Sequence, residues 1–373
     1  MKFEGNKDFS NLIKVLNKIA AVRYHKETVI PILMQVIDGR ENVVVQVATD
    51  RNEATVVHPT ATECPGNAYI FDITDLNRVV SKLSSTYDVE AKDERLTIKS
   101  KRTKYTLKEE GLGEVVPLKP VDWRAGNSAV MPSDDFIQAL SVTPTYVAKS
   151  DHRQFLCGAC VSVNNNSLRI SATEGHKLIT TKSACKGDGK EWEAIIPLKQ
   201  VAVIVDLFKG QSGDMWIRLG EGELMKHLNL ELNGISYTTT IIEGPYPNVA
   251  KLIPEDPPNL IDVDAKDFKD TATTALSISK GLGDDTVHLN ISSGVLKIEA
   301  ANREASSSIQ AKTRVLGEVH MKFSGDHLLN SLNLIASQGK DNRVLMYFDD
   351  AQHAVKLHSD NQPDQTIVVM PQR

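Results

Sequence analysis

The chain has 373 residues, with 43 Lys and Arg against 48 Asp and Glu for a formal net charge of −5. Hydrophobic residues at 41% and charged residues at 24% are proportions of a folded globular protein, which excludes a disordered chain. The net acidity excludes a basic nucleic-acid coat protein, although it leaves room for a local basic surface. The length allows two or three domains, and no apolar run approaches the roughly 18 residues of a membrane span. The polar start, Met1 to Asp8, predicts a chain without a signal peptide and a cytoplasmic protein.

In chain order, the first predicted element is a helix. Phe9, Leu12, Ile13, Leu16 and Ala20 recur at the three-to-four spacing of a buried face. A strand, Val43–Ala48, follows and ends in a polar corner at Thr49-Asp50. A second helix is expected over 74–83, then the strands Arg95–Lys99 and Lys104–Leu107. The same order returns twice. Asp134-Asp135-Phe136 and Lys266-Asp267-Phe268 open helices as Lys7-Asp8-Phe9 does. The segments Leu168–Glu174 and Val295–Asn302 are likewise strands that end in polar corners. Second helices are expected over 198–208 and 325–335. The spacing of roughly 130 residues is one domain's worth. Pro/Gly-rich stretches near 117–128 and 254–259 place the boundaries, giving domains 1–125, 126–255 and 256–373. The fold class is α+β: three tandem repeats with helices on one face of antiparallel sheets. Such a chain has unlike ends, and pairing the sheet edges of successive domains makes it an arc of a ring.

Two motifs invite a chemical reading. The four cysteines are too few for a disulfide scaffold in so long a chain. Cys157-Gly-Ala-Cys160 has CxxC spacing, but 155–163 reads as a strand that turns the two thiols to opposite faces, so no metal or redox role is expected. Thr173-Glu174-Gly175-His176 reads as a turn between strands. Its catalytic alternative, His176 as a base oriented by Glu174, finds no nucleophile elbow, phosphate loop or metal-ligand set elsewhere in the chain. No cofactor and no enzymatic activity are expected.

The segment Ala172-Thr173-Glu174-Gly175-His176-Lys177-Leu178 resembles the Thr-Asp-Gly-His-Arg-Leu signature of the bacterial DNA polymerase III beta subunit family, the sliding clamps. Gly244-Pro245-Tyr246-Pro247-Asn248 and the end Val368-Val369-Met370-Pro371-Gln372-Arg373 are similar to other segments of that family, as are Met1-Lys2-Phe3 and Pro31-Ile32-Leu33. The resemblance implies a head-to-tail homodimer that closes a six-domain ring around duplex DNA. It also implies partners bound through short motifs: replicative and other DNA polymerases, the clamp loader and repair proteins. The alternative is a clamp-fold module that binds peptides without encircling DNA.

Carried over by motif, the partner-peptide pocket comprises Leu156, Thr173, Gly175, His176, Lys177 and Leu178, with Pro247, Lys251 and Leu252. Val368, Val369, Met370, Pro371 and Arg373 complete it. DNA-facing candidates are Lys14, Lys26, Lys82, Lys149, Arg153 and Lys199, which would touch phosphates without reading bases. The ring contact is expected at Tyr105 and Leu107 against Ser277 and Ile278. The chain departs from the family at Lys177, where Arg is familiar, at Val249-Ala250 and Gln372, and at Ser277, where the family has an apolar residue. Arg373 ends a chain whose relatives usually carry one more apolar residue.

Overall fold

The computed structural model describes residues 1–21, 31–36, 42–49, 51–59, 62–63, 68–83, 85–101, 103–108, 122–223, 225–255, 257–292, 294–315 and 317–372. Six α-helices are present among them: α1 (Lys7–Ala21), α2 (Ile73–Val80), α3 (Ser133–Ser141), α4 (Leu198–Phe208), α5 (Ala265–Gly281) and α6 (Gly325–Ser337). None is long and apolar enough to cross a membrane.

Local chemistry sets the helix starts. Asn6 Oδ1 accepts from the amides of Asp8 and Phe9, Asp72 from Thr74 and Asp75, and Asp264 from Asp267, so an Asx side chain caps three of the six. The repeated phenylalanines Phe9, Phe136 and Phe268 have no exposed surface, and Ile13, Leu16 and Ala20 are buried with Phe9 as expected. Leu12 lies at the margin of that face, half-buried. The second helix of the first repeat stops earlier than predicted. After Val80 the chain tightens into three-residue turns, with Lys82 N donating to Val79 O and Leu83 N to Val80 O.

Each repeat is itself doubled. A strand enters a helix and three antiparallel strands follow, and among the described residues this happens six times. Lys2–Gly5 leads into α1 and on to Pro31–Val36, Asn42–Ala48 and Asn52–Pro59. Ala68–Asp72 leads into α2 and on to Tyr87–Lys92, Arg95–Ser100 and Thr103–Lys108. The second repeat runs through α3 to Lys177–Ala184 and through α4 to Ile235–Thr240. The third runs through α5 to Ser306–Gln310 and through α6 to Gln362–Val369.

The chain forms two compact units, 1–141 with 162–167 and 184–243, and 142–161 with 168–183 and 244–373. In the first unit α1 packs on α2 and on α4, and α3 packs on α4. Its larger sheet is continuous between repeats because Asn52–Pro59 pairs antiparallel with Ile235–Thr240, in the register Val56 to Ile235 and Ala54 to Tyr237. A buried network reinforces this seam: Asn52 Oδ1 accepts from the hydroxyls of Tyr237 at 2.9 Å and Thr239 at 2.7 Å. In the second unit α5 packs on α6 closely enough that a Cβ on Gly325 would lie 2.3 Å from Leu276 Cδ1. Its larger sheet joins Lys177–Ala184 to Gln362–Val369, in the register Lys177 to Val369 and Leu178 to Val368. The four-stranded sheet of this unit runs Ser306–Gln310, Val295–Ala300, Thr286–Ser292, Val319–Ser324.

The strand expected over 155–163 is shorter than predicted. Gln154–Cys157 is a 3-10 turn, and the strand begins at Gly158. Asp151 starts the turn by accepting from Arg153 N at 2.8 Å, and Leu156 N then bonds Arg153 O. Cys157 and Cys160 therefore belong to different elements. Both are free thiols, as is Cys185.

Candidate functional site

The turn predicted at Thr173-Glu174-Gly175-His176 links the strands Ser167–Thr173 and Lys177–Ala184, and a single hydroxyl closes it. Thr173 Oγ1 accepts from Gly175 N at 3.1 Å and donates to Lys177 O at 2.8 Å, in a setting where Thr173 is buried. Gly175 has φ +102°, a conformation that disfavours a side chain.

Two further segments meet this corner. Tyr246 is buried, and its hydroxyl accepts from Thr173 N at 3.0 Å; this fixes the start of the loop that carries Pro247 and the 3-10 turn Val249–Leu252. The C-terminal strand pairs beside the corner, and beyond it Met370 N donates to His176 O at 2.9 Å and Gln372 N to Lys322 O at 2.7 Å. The structure thus brings Thr173, Gly175, His176, Lys177 and Leu178 together with Val368, Val369 and Met370, and ties Pro247 to them through Tyr246. Leu156 is buried, its carbonyl accepting from Ala148 N. Arg373 lies outside the described residues. Met370 and Leu252 keep 37% and 49% of their surface exposed, which gives the neighbourhood apolar groups that a partner can cover.

Beside the corner lies an open cavity of about 670 Å³ between residues 144–151, the turn and the start of α6. Its polar centre is Glu174, whose Oε1 is 3.0 Å from His327 Nε2 and 3.6 Å from Lys177 Nζ. The Lys177 side chain is almost fully buried, with Nζ 5.5 Å from the centre of the Tyr146 ring, and Tyr146 in turn donates to Ser331 Oγ. Burial lowers the Lys177 pKa against the opposing pull of Glu174. Burial likewise lowers that of His327, with Lys177 and His176 adding to the effect and Glu174 and Asp326 opposing it. The ring of His176 lies 5.8 Å from that of His327, centre to centre. Glu174 therefore faces His327 and Lys177, so a Glu174-oriented His176 base finds no support in this geometry. Sequence reasoning named neither Tyr146 nor His327, and named Tyr246 only within a motif, because distant segments supply all three.

The other candidates scatter. Lys14 on α1, Lys82 after α2, Lys199 on α4 and Lys149 beside the cavity are exposed. Arg153 is clamped by Asp151, through Nε at 3.1 Å and Nη2 at 2.9 Å, and the pair holds the Asp151 carboxyl well below the usual range. Lys26 lies outside the described residues. Tyr105 and Leu107 lie on Thr103–Lys108, the last strand of its sheet. Ser277 and Ile278 are exposed on α5, which packs beside Ser306–Gln310, the last strand of another. Among the described residues seven large apolar side chains are exposed. Tyr105, Leu252, Ile278 and Met370 are four of them, so the sequence candidates coincide with much of the apolar surface left bare.

Residues 130–248 match the model of the DNA polymerase III beta subunit central domain. The chain is 24% identical to the beta sliding clamp of Haemophilus influenzae, over 97% of this chain and 98% of that protein. It is 25% identical to that of Pseudomonas aeruginosa over 77% and 76%. The crystal structure of the DNA polymerase III subunit beta from Pseudomonas aeruginosa superposes over the full length of both chains with a TM-score of 0.81 at 20% identity. A Helicobacter pylori beta clamp bound to a DNA ligase peptide does so with 0.79 at 16%. Sequence, central-domain model and full-length fold agree in what the chain is similar to: the bacterial DNA polymerase III beta subunits, the beta sliding clamps.

Proposed function

We propose that this chain is a replication processivity factor that closes head to tail with a second copy, encircles duplex DNA and tethers partners through the corner at Thr173–Lys177. The pattern of sheet edges carries this reading. Six strands end the six strand–helix–three-strand halves. The first half of repeat one pairs its last strand, Asn52–Pro59, with the last strand of the second half of repeat two, Ile235–Thr240. The first half of repeat two does the same with the second half of repeat three, Lys177–Ala184 with Gln362–Val369. By that rule the first half of repeat three, ending in Ser306–Gln310, pairs with the second half of a repeat one, ending in Thr103–Lys108. Both strands lie at sheet edges without an outer neighbour among the described residues. A second copy of the chain offers such an edge, and the contact it makes is heterologous.

Main-chain pairing of these edges supplies closure where Ser277 offers no apolar side chain. Ile278 and Tyr105 add apolar cover. Domain boundaries near 125 and 255 follow from the same repeats. A closed ring holds DNA by topology, so Lys14, Lys82, Lys149 and Lys199 need only weak phosphate contacts that permit sliding. The partners are polymerases, the clamp loader and repair proteins, all in the cytoplasm, and the clamp performs no chemistry itself.

Sedimentation velocity over a concentration series, paired with retention on nicked circular and linearised DNA, tests the reading. A particle of twice the chain mass that stays on circles and runs off linear ends is the expected result. A persistent monomer, or equal loss from circles and linear ends, refutes encirclement; intact peptide binding in that case leaves the interaction module as the function.

A further inference from the structure

The four-stranded sheet of the second unit carries a side-chain cluster that neither the peptide site nor ring closure uses. Strand alternation turns Val287, Leu289, Ile298, Met321 and Phe323 inward, where they are buried. His288, Asn290, Lys297, Glu299, His320 and Lys322 share the opposite face. His288 sits across from Glu299 on one neighbouring strand and from Lys322 on the other, while His320 is paired with Asn290 and so lies diagonal to His288. The two imidazole rings stack 5.2 Å apart at 22°, and His288 Nδ1 and His320 Nε2 share a hydrogen bond at 3.1 Å, the proton of which a bound ion would replace.

That separation has a chemical meaning. Two imidazole nitrogens bound to one ion at roughly 2.05 Å lie roughly 2.9 Å apart at a right angle and roughly 3.4 Å apart at a tetrahedral one. The observed pair falls between. His288 is buried and His320 exposed, so the pair has one anchored member and an open approach from solvent. Among the described residues no three His, Cys, Asp or Glu side chains converge on one point as the chain stands. Glu299, the cross-strand partner of His288, is held by Asn290 Nδ2 and Lys297 Nζ, each at 2.6 Å.

We propose that His288 and His320 chelate a divalent transition-metal ion of the imidazole-preferring class, such as Zn²⁺ or Ni²⁺, with water and a rotated Glu299 carboxylate filling the remaining positions. The ion clips Thr286–Ser292 to Val319–Ser324. Lys297, Lys322 and Arg303 oppose a cation electrostatically, which makes the site one of modest affinity that fills when metal is plentiful.

Calorimetric titration of the full chain with ZnCl₂ and with NiCl₂ at neutral pH is the test, alongside His288→Gln, His320→Gln and His327→Gln. One ion per chain is expected, with affinity reduced at least about tenfold in His288→Gln and in His320→Gln and unchanged in His327→Gln. Because His320 is exposed, His320→Gln should keep the metal-free melting temperature while losing the metal-induced rise. No saturable binding below about 1 mM overturns the assignment. So does binding retained in both sheet variants, or binding lost in His327→Gln, which would place the ion at the other stacked pair.

Discussion

Thr173→Val isolates the hydroxyl that closes the corner, because valine keeps the branched shape and removes only the oxygen. Two hydrogen bonds go, the one from Gly175 N at 3.1 Å and the one to Lys177 O at 2.8 Å. The remaining bond to Lys177 O, from Glu174 N, is long at 3.4 Å and compensates little. At about 1 kcal/mol net for each bond, the turn becomes easier to open by about 2 kcal/mol. With tenfold for each 1.4 kcal/mol, amide exchange at Gly175 and its neighbours should quicken about 30-fold. Hydrogen exchange read by mass spectrometry on peptides covering 173–178 measures this, with the strand Thr286–Ser292 as an internal control. Affinity for a clamp-binding peptide should fall in parallel, since the same turn orients His176 and receives Met370. Corner exchange within about threefold of the parent would refute the view that this hydroxyl holds the turn.

Three other perturbations separate packing, charge and protonation. Gly325→Ala drives a methyl into Leu276 at the α5–α6 crossing and should cost about 1–3 kcal/mol, seen as a lower melting temperature with the fold retained. Met370→Asp puts a charge on an exposed apolar group, so folding should survive while peptide affinity drops at least about tenfold; unchanged affinity removes Met370 from the site. Burial lowers the pKa of His58, His227, His288, His320, His327 and His358. The unfolded chain then binds more protons than the folded one between those lowered values and about pH 6.5. Stability is therefore full above pH 6.5 and falls as pH drops below it, and a melting temperature that is flat or rising from pH 7.5 to 5.5 would contradict the burial of these rings.

Much of the architecture was legible because it repeats. Phe9, Phe136 and Phe268 mark equivalent helices, and their total burial follows from spacing that any 3.6-residue helix enforces. The helix over 198–208 was predicted to the residue, since apolar periodicity and flanking turn residues agree there. Predictions failed where a side chain outvoted periodicity, as when Asp151 bent the start of the expected strand into a turn. They also failed where a helix ended in tight turns without a glycine or proline to mark it, as after Val80.

By itself the sequence determined the three repeats, the α+β class, the turn at Thr173–His176 and the resemblance to the sliding clamps. These depend on local periodicity and contiguous motifs, which the chain carries in order. It did not disclose that each repeat is doubled, that Tyr246 and Met370 pin the corner by hydrogen bonds, or that Glu174 faces His327 rather than His176. Nor did it show which sheet edges are paired and which are left open. Strand pairing joins residues well over a hundred positions apart, and an ion pair between a turn and a distant helix leaves no trace in the spacing of either. The tertiary structure decided those, because only folding sets the distance between segments whose local preferences are independent of each other.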